Sequence, residues 1–429
     1  MTVFADLAQA LSWVFDLQKF GVKFGLSSTL DLLARLGLPY LEGRYLHIAG
    51  TNGKGSVAAI LSAVLTRAGY PVGLFTSPHL VSFRERLRLR DREITADRLL
   101  SLINQVRAVV DPSEPPTFFE FATVMAFLYF LEEKADPIIL ETGMGGRLDA
   151  TNVVVPLLTV ITNISRDHQD YLGRGLLAIA AEKAGIIKEK TPLVTYARQP
   201  SVLEFFRRRC RELEAPLYVG GEDFRARGAS GGRFGYQGLN RGLAGLTLSL
   251  RGRHQYRNAA VSLAVLELLE QRGWVIGEAA IREGLANTRW PGRLEQVAQD
   301  RRILLDGAHN PAAALTLAQA LKPGRSGGNG RLFLVMGIMA DKDVDAILAR
   351  LLPLAHLVIF TQPRSLRAAA TSDLARRAQA YALEVLQVPR VSEAIRRAQT
   401  LAGPRDRIVV TGSLFTVGEA KEYFQGCES

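Results

Sequence analysis

Between residues 45 and 196 short apolar runs alternate with longer stretches of helical period, and this alternation limits the possible folds more than any other feature. Strands are expected at 45–49, 72–76, 137–141, 157–163 and 192–196, with helices at 55–68, 96–109, 118–133 and 175–188. Repeated strand-helix-strand units return each strand parallel to the last, so the expected architecture is α/β, a mostly parallel sheet with helices on both faces. Ligands of such a sheet sit beyond the carboxyl ends of its strands. Residues 224–253 shift to Gly and Arg with alternating Leu246, Leu248 and Leu250, which suggests a small β-hairpin region beside the main sheet. A helix over 258–272 follows. The cluster Asn287-Thr288-Arg289-Trp290-Pro291-Gly292-Arg293 carries both strong helix breakers and marks a boundary. Alternation then restarts, with strands at 302–306, 332–336, 357–361 and 407–411 and helices such as 311–321 and 372–383. The expected organisation is an N-terminal domain over 1–287, a linker over 288–295 and a smaller, Rossmann-like α/β domain over 296–429. Residues 323–330, rich in Gly, read as a flexible surface loop.

A chain of 429 residues exceeds one ordinary core, in keeping with two domains. Its 48% hydrophobic and 22% charged residues exclude a disordered or fibrous protein. Cys210 and Cys427 could form one bridge at most, which excludes a disulfide scaffold and fits the reducing cytoplasm. No basic stretch precedes the first apolar residues, and no uncharged apolar run approaches a bilayer span, so neither a targeting signal nor a membrane segment is expected. The net charge of +11 favours anionic partners. Its densest run, Arg207-Arg208-Arg209 with Arg211, falls on a helical stretch and reads as a solvated face. Without basic and aromatic interleaving, no nucleic-acid partner is expected.

The sharpest local signal is Gly50-Thr51-Asn52-Gly53-Lys54-Gly55-Ser56, directly after a strand and directly before a helix. Glycines let backbone N–H groups curl round an anion, the helix N-terminus adds its dipole, and a Lys neutralises charge; a triphosphate is the natural occupant. The loop departs from the general phosphate-loop pattern, because Ile48 stands where a Gly is usual and Gly55 separates Lys54 from the hydroxyl of Ser56. Glu141 ends another strand and precedes Thr142-Gly143-Met144-Gly145-Gly146-Arg147-Leu148-Asp149-Ala150-Thr151-Asn152. A carboxylate there can hold nucleotide-bound Mg²⁺ or simply cap, and the glycines admit either a ligand or another backbone. Asp167-His168-Gln169-Asp170 again lies just past a strand, with His168 open to a ligand, acid/base or structural reading. Asp306-Gly307-Ala308-His309-Asn310-Pro311 ends a strand and opens a helix; capping by Asn310 with Pro311 in the first turn explains two of those residues but not Asp306 and His309.

Taken together, these motifs resemble the Mur ligase superfamily and, within it, the folate branch of folylpolyglutamate and dihydrofolate synthases. The likeness runs through nearly the whole chain, from Phe20-Gly21-Val22-Lys23-Phe24-Gly25-Leu26 and the phosphate loop to Thr76-Ser77-Pro78-His79-Leu80 with Glu85-Arg86, then Phe119-Glu120, Glu182-Lys183-Ala184-Gly185, Asn258, Arg293, Asp306 to Pro311 and Gly412-Ser413-Leu414. Gly55 separates this branch from the cell-wall ligases, where Lys is followed at once by a hydroxyl residue. The resemblance implies ATP-dependent amide formation through an acyl phosphate, adding L-glutamate to dihydropteroate and, as polyglutamate, to tetrahydrofolate; polyglutamylation alone is the nearest rival, and a muramyl-type peptide ligase and a nucleotide-driven switch are the more distant ones. It implies that Ser77, Glu141 and His168 hold Mg²⁺, with a monovalent cation as a further candidate ion, although imidazole is an unusual Mg²⁺ ligand. It implies a carbamylated Lys183, catalysis by His309 at the acyl phosphate, and ATP contacts from Thr51 to Ser56, Asn258 (adenine), Arg293 (phosphates) and Asp306 (ribose). The pterin side is implied at Lys23, Phe24, Gly25, Leu26, at Thr117, Phe118, Phe119, Glu120, and at Leu148, Asp149, Ala150. Contacts from both domains imply a cleft that works only when closed, in a cytoplasmic monomer.

Overall fold

In the computed structural model, β1 (Tyr45–Ala49) is buried at every position, which explains why it reads as an apolar run, interrupted only by His47, rather than an alternating one. The structure describes residues 3–21, 23, 25–228, 232–322 and 330–426. Phe24, Cys427 and residues 323–329 of the expected loop over 323–330 lie outside them.

Two helices, α1 (Leu7–Asp16) and α2 (Ser27–Arg35), precede β1. After it come α3 (Lys54–Arg67), β2 (Gly73–Phe75), the antiparallel pair β3 (Leu87–Leu89) and β4 (Arg92–Glu93), then α4 (Ala96–Ala108) and α5 (Phe118–Glu132). The chain continues through β5 (Ile138–Glu141), β6 (Leu158–Ile161), α6 (Gln169–Leu172), α7 (Leu176–Ala184), β7 (Leu193–Thr195), α8 (Pro200–Glu212) and β8 (Leu217–Val219). These strands form one eight-stranded sheet in the order β4-β3-β2-β5-β1-β6-β7-β8, parallel from β2 to β8. The hairpin region is a separate antiparallel sheet of β9 (Arg225–Gly228), β10 (Arg233–Gln237) and β11 (Gly242–Thr247). Leu248 and Leu250 fall beyond its last strand. Helices α9 (Arg253–Glu270) and α10 (Glu278–Asn287) follow, the first starting five residues earlier than its periodicity suggests.

The remaining elements are β12 (Glu295–Gln296), β13 (Ile303–Leu305), α11 (Pro311–Leu321), β14 (Leu332–Met336), α12 (Val344–Leu351), β15 (Leu357–Phe360), α13 (Thr371–Ala378), β16 (Glu384–Gln387), α14 (Val391–Leu401), β17 (Arg407–Thr411) and α15 (Leu414–Gln425). They build a six-stranded sheet, β12-β13-β17-β14-β15-β16, parallel except at β12. Two compact units result. One runs through Ser249 and resumes at Tyr256–Thr288; the other comprises Leu250–Gln255 and the described residues from Arg289 onward.

The strands that sequence periodicity does not reveal, β3, β4, β8, β12 and β16, lie at sheet edges or next to them and are short and partly polar. Edge strands have only one neighbour to satisfy, so their side chains need not be apolar. The core of the first unit gathers around α5, whose Phe121, Phe127 and Phe130 are wholly buried.

Candidate active site

In the first sheet β1 lies between β5 and β6, with Ile48 level with Glu141 and Ala49 level with Ile161. The loop after β1, the carboxylate ending β5 and the Thr162-Asn163 pair after β6 therefore emerge side by side, at the point where the strand order changes direction.

The loop is held open by tertiary contacts. Gly50 and Gly53 have φ of +141° and +88°, and α3 begins at Lys54 with no side-chain cap. Thr162 Oγ1 donates to the Asn52 carbonyl (2.7 Å), as does Asn163 Nδ2 (2.7 Å), while Asn52 N–H donates to Asn163 Oδ1 (3.1 Å). Thr51 exchanges hydrogen bonds with Ser165, and Lys54 Nζ curls back to the Gly50 carbonyl at 3.1 Å. Asn258 on α9 reaches the same loop: a Cβ at Gly53 would lie 2.7 Å from its Oδ1. Thus residues 51–56 and Asn258, expected at the nucleotide from sequence, share one neighbourhood, and Thr162 and Asn163 are supports that the sequence reading missed. Their signal was a Thr-Asn pair just past the strand adjoining the loop.

Lys183, on the last turn of α7, is only 4% exposed. Burial and the neighbouring Lys54 push its ammonium down to about 7, opposed by Asp167 and Asp149. The two lysines and the two carboxylates thus act on one another beyond the sheet's carboxyl edge. Of the glycines after Glu141, Gly143 and Gly145 face the Phe119 and Leu172 side chains, and Gly146 serves backbone approach. A Cβ on Gly146 would meet the Glu182 and Lys183 carbonyls at 2.9 Å, and one on Gly185 would meet Arg147 Cα at 2.4 Å. Arg147 N–H donates to the Glu182 carbonyl (2.7 Å) and its guanidinium pairs with the Glu182 carboxylate (2.9 Å). The segment that begins at Gly143 is in this way clamped, at Gly146 and Arg147, to the end of α7 that carries Lys183.

Asp149 caps the short 3₁₀ turn Ala150–Val153, and Leu148 beside it is half-buried. Its carboxylate accepts from Thr151 Oγ1 (2.6 Å), Thr151 N–H (3.1 Å) and Met144 N–H (3.0 Å). Burial raises its pKa, against the pull of those donors. Glu141, 4% exposed, accepts from Ser77 N–H at 3.2 Å. Near it, Arg86 Nε donates to His79 Nδ1 (2.7 Å). Burial holds the buried Arg86 down at about 10, opposed by Glu141 and Glu85. Burial, then Arg86, holds His79 down at about 3. His168 starts α6 in the left-handed conformation (φ +50°), and its Nε2 lies 3.9 Å from the buried Asp167 carboxylate. Among the described residues no three His, Cys, Asp or Glu side chains are grouped as a metal cage.

On the expected pterin side, Thr117 and Glu120 form a capping box at the start of α5: Thr117 N–H donates to Glu120 Oε2 (2.7 Å) and Glu120 N–H to Thr117 Oγ1 (3.3 Å). Phe118 stacks against Phe15 (5.8 Å) under the Arg86 guanidinium, and Phe119 packs on Gly143. Lys23 is exposed and donates to the Pro115 carbonyl (2.6 Å); Gly25 and Leu26 are half-buried.

In the second unit Asp306 is buried and accepts from Leu294 N–H and Ala308 N–H, both at 3.0 Å, with burial raising its pKa and Arg293 opposing. His309 Nδ1 lies 2.8 Å from the Gly307 carbonyl, which sets Nδ1 as the protonated nitrogen. Asn310 caps α11 through Ala313 N–H (2.9 Å), with Pro311 in the first turn. Arg293, Asp306 and His309 are therefore neighbours within this unit.

Comparison with known proteins identifies the family of the chain. Residues 48–266 match the Mur ligase middle domain and residues 292–414 the Mur ligase glutamate ligase domain. The dihydrofolate synthase/folylpolyglutamate synthase of Bacillus subtilis is 37% identical over 98% of this chain and 99% of its own. The folylpolyglutamate synthase of Lacticaseibacillus casei is 33% identical over 93% of this chain and 94% of its own. Among solved structures, Escherichia coli FolC in complex with DHPP and ADP superposes with a TM-score of 0.90 at 31% identity, covering 100% of both chains. Mycobacterium tuberculosis folylpolyglutamate synthase complexed with ADP gives 0.90 at 34% identity, over 98% of this chain and 99% of that one. With likeness of this depth running end to end through both units, the chain belongs to the Mur ligases and, among them, to the dihydrofolate synthase/folylpolyglutamate synthase family.

Proposed function

We propose that this chain adds L-glutamate to dihydropteroate, giving dihydrofolate, and to tetrahydrofolate, whose glutamate tail it lengthens. It is an ATP-dependent ligase that forms an amide bond. The observation that carries the reading is the grouping of Lys54, Lys183, Asp149 and Asp167 beyond the strand ends, in a chain with the phosphate loop of this family.

In the proposed reaction a carboxylate oxygen of the pteridine acid attacks the γ-phosphorus of ATP, and ADP leaves. The glutamate nitrogen then attacks the acyl carbon, phosphate leaves, and the nitrogen loses its proton. Every early participant is an anion, so the protein's task is to gather and neutralise them. Amides of the 51–56 loop and Lys54 take the phosphates, Asn258 the adenine, Arg293 further phosphate charge and Asp306 the ribose. His309, oriented by its Nδ1 bond to Gly307, acts at the acyl phosphate.

Mg²⁺ is bound in many such sites by one or two carboxylates together with substrate phosphates rather than by a dedicated cage. The buried Glu141 beside Ser77 fits that chemistry, and Ser77, Glu141 and His168 are the residues that would hold the ion. When bound, it would offset phosphate charge as the new bond forms. With Lys183 at about 7, a large fraction of its amine is neutral near neutral pH and able to add to CO₂. The nitrogen bonds the carbon, a proton departs, and an anionic carbamate stands beside Lys54. Lys23 to Leu26, Phe118, Phe119, Leu148, Asp149 and Ala150 receive the pteridine acid, with Thr117 and Glu120 fixing the helix start beneath it.

The test is ADP release from ATP, Mg²⁺ and glutamate, with dihydropteroate, tetrahydrofolate or a muramyl precursor as acceptor. Turnover with both pteridine acids is expected. Tetrahydrofolate alone would reduce the activity to polyglutamylation, the name carried by the Lacticaseibacillus relative. Release indifferent to the acceptor would overturn the ligase reading.

A further inference from the structure

His47 occupies the middle of β1, wholly buried, two residues before the strand ends. Its Nε2 lies 2.8 Å from Thr151 Oγ1, and that hydroxyl has one proton, which it gives to Asp149 Oδ1 at 2.6 Å. Thr151 Oγ1 must then accept from His47, so the imidazole is the neutral Nε2–H tautomer. Its Nδ1 is buried with no hydrogen-bond partner among the described residues. A Val or Ile at this strand position would avoid that desolvated nitrogen, so the histidine's presence requires a return elsewhere. The return lies at the far end of the chain of bonds, where Asp149 Oδ2 accepts from Met144 N–H (3.0 Å) in the segment clamped to α7.

We propose that His47 and Thr151 are positioning residues: the chain His47 Nε2–H to Thr151 Oγ1–H to Asp149 fixes that carboxylate and the Gly143-Met144 backbone where the pteridine acid docks. This rests on the reading of Asp149 as part of the acceptor subsite. The bonds run one way, from the sheet interior to the site, so each donor orients the next acceptor. Thr151 is wholly buried, and its N–H also donates to Asp149 Oδ1, at 3.1 Å. Asp149 consequently has both oxygens committed in fixed directions, as a group presented to a ligand should be.

The experiment has two parts. In the wild-type protein, ¹⁵N NMR of the His47 ring should show Nε2 protonated and Nδ1 bare; protonation at Nδ1 would overturn the proposal whatever the substrate is. In steady-state kinetics, Thr151→Val and His47→Leu should raise KM for dihydropteroate roughly ten-fold or more, because an acceptor in the chain loses its donor, with KM for ATP little changed. Thr151→Ser and His47→Gln, which keep a hydroxyl and a donor near the Nε2 position, should restore it. Equal rises in both KM values, or no rise, would reduce the trio to core packing and overturn the proposal. Wild-type turnover is measured first. Its absence with every pteridine acid would defeat the proposed function, whereas turnover with an acceptor KM insensitive to these variants defeats only this inference.

Discussion

Replacing Gly50 by Ala tests whether the phosphate loop is shaped by β6 as the structure has it. The new Cβ would lie 1.9 Å from Thr162 Oγ1 and 3.0 Å from the Thr162 amide nitrogen. Thr162 has little freedom to retreat: it is buried, its hydroxyl holds the Asn52 carbonyl (2.7 Å), and its amide holds the Ala49 carbonyl (3.0 Å). A side chain at φ +141° costs about 1–3 kcal/mol. Overpacking against a fixed neighbour costs about 1–3 kcal/mol more. Losing the Thr162 bond to the loop adds about 1 kcal/mol. The loop can shift to relieve part of this, so the cost should divide between lost stability and misplaced amides. Thermal unfolding followed through Trp13 and Trp274, with ATP affinity by titration, reads both. A lower midpoint and at least a roughly ten-fold weaker ATP Kd are expected, ten-fold being about 1.4 kcal/mol. Thr162→Ala should remove the contact with the hydroxyl but leave the backbone strain and the 3.0 Å approach to the amide nitrogen; because both single variants also lose the same Thr162 bond to the loop, the double variant should fall short of additivity by up to about 2–4 kcal/mol. Wild-type midpoint and affinity in Gly50→Ala, or strict additivity in the cycle, would refute the reasoning.

Lys54→Ala should lower the rate of ADP release on the order of 10³-fold or more by removing the charge partner of the phosphates; near-normal turnover would sink the loop assignment. Lys183→Ala should be nearly inactive yet folded, with partial recovery on adding short carboxylic acids, whereas full activity without them would exclude a carbamate. Because the folded state lowers the Lys183 pKa from its ordinary value to about 7, the unfolded state holds the extra proton. The penalty is complete below about pH 7 and fades as pH rises towards about 10.5, so in CO₂-depleted buffer Lys183→Met should stabilise by a few kcal/mol, roughly, at neutral pH and by nothing extra above pH 10.5. A gain that did not shrink with pH in denaturation curves would contradict the burial argument. Thr117→Ala should cost about 1 kcal/mol by opening the box at the start of α5, and unchanged unfolding would show that the cap contributes nothing.

What was legible in the sequence lies in features that a few adjacent residues encode. The span of β1 follows from a run that can only be buried on both faces, and the start of α3 from glycines flanking a lysine. The capping by Asn310 with Pro311 was likewise local. The glycines after Glu141, and Gly185, show the other side. Those after Glu141 left open whether a ligand or a backbone comes close, and only folding showed that Gly146 receives the α7 carbonyls and Gly185 receives Arg147. His47 gave no signal inside its apolar run, since its partner Thr151 is 104 positions away in the chain. Arg86 and His79 stood in motifs without roles until burial set them near Glu141. Local periodicity and turn chemistry are thus fixed by neighbours in sequence, which the chain states outright. Close backbone approach, buried hydrogen-bond chains and shifted proton affinities depend on which distant segments share a low-dielectric space, and that is decided only when the sheet and its helices assemble.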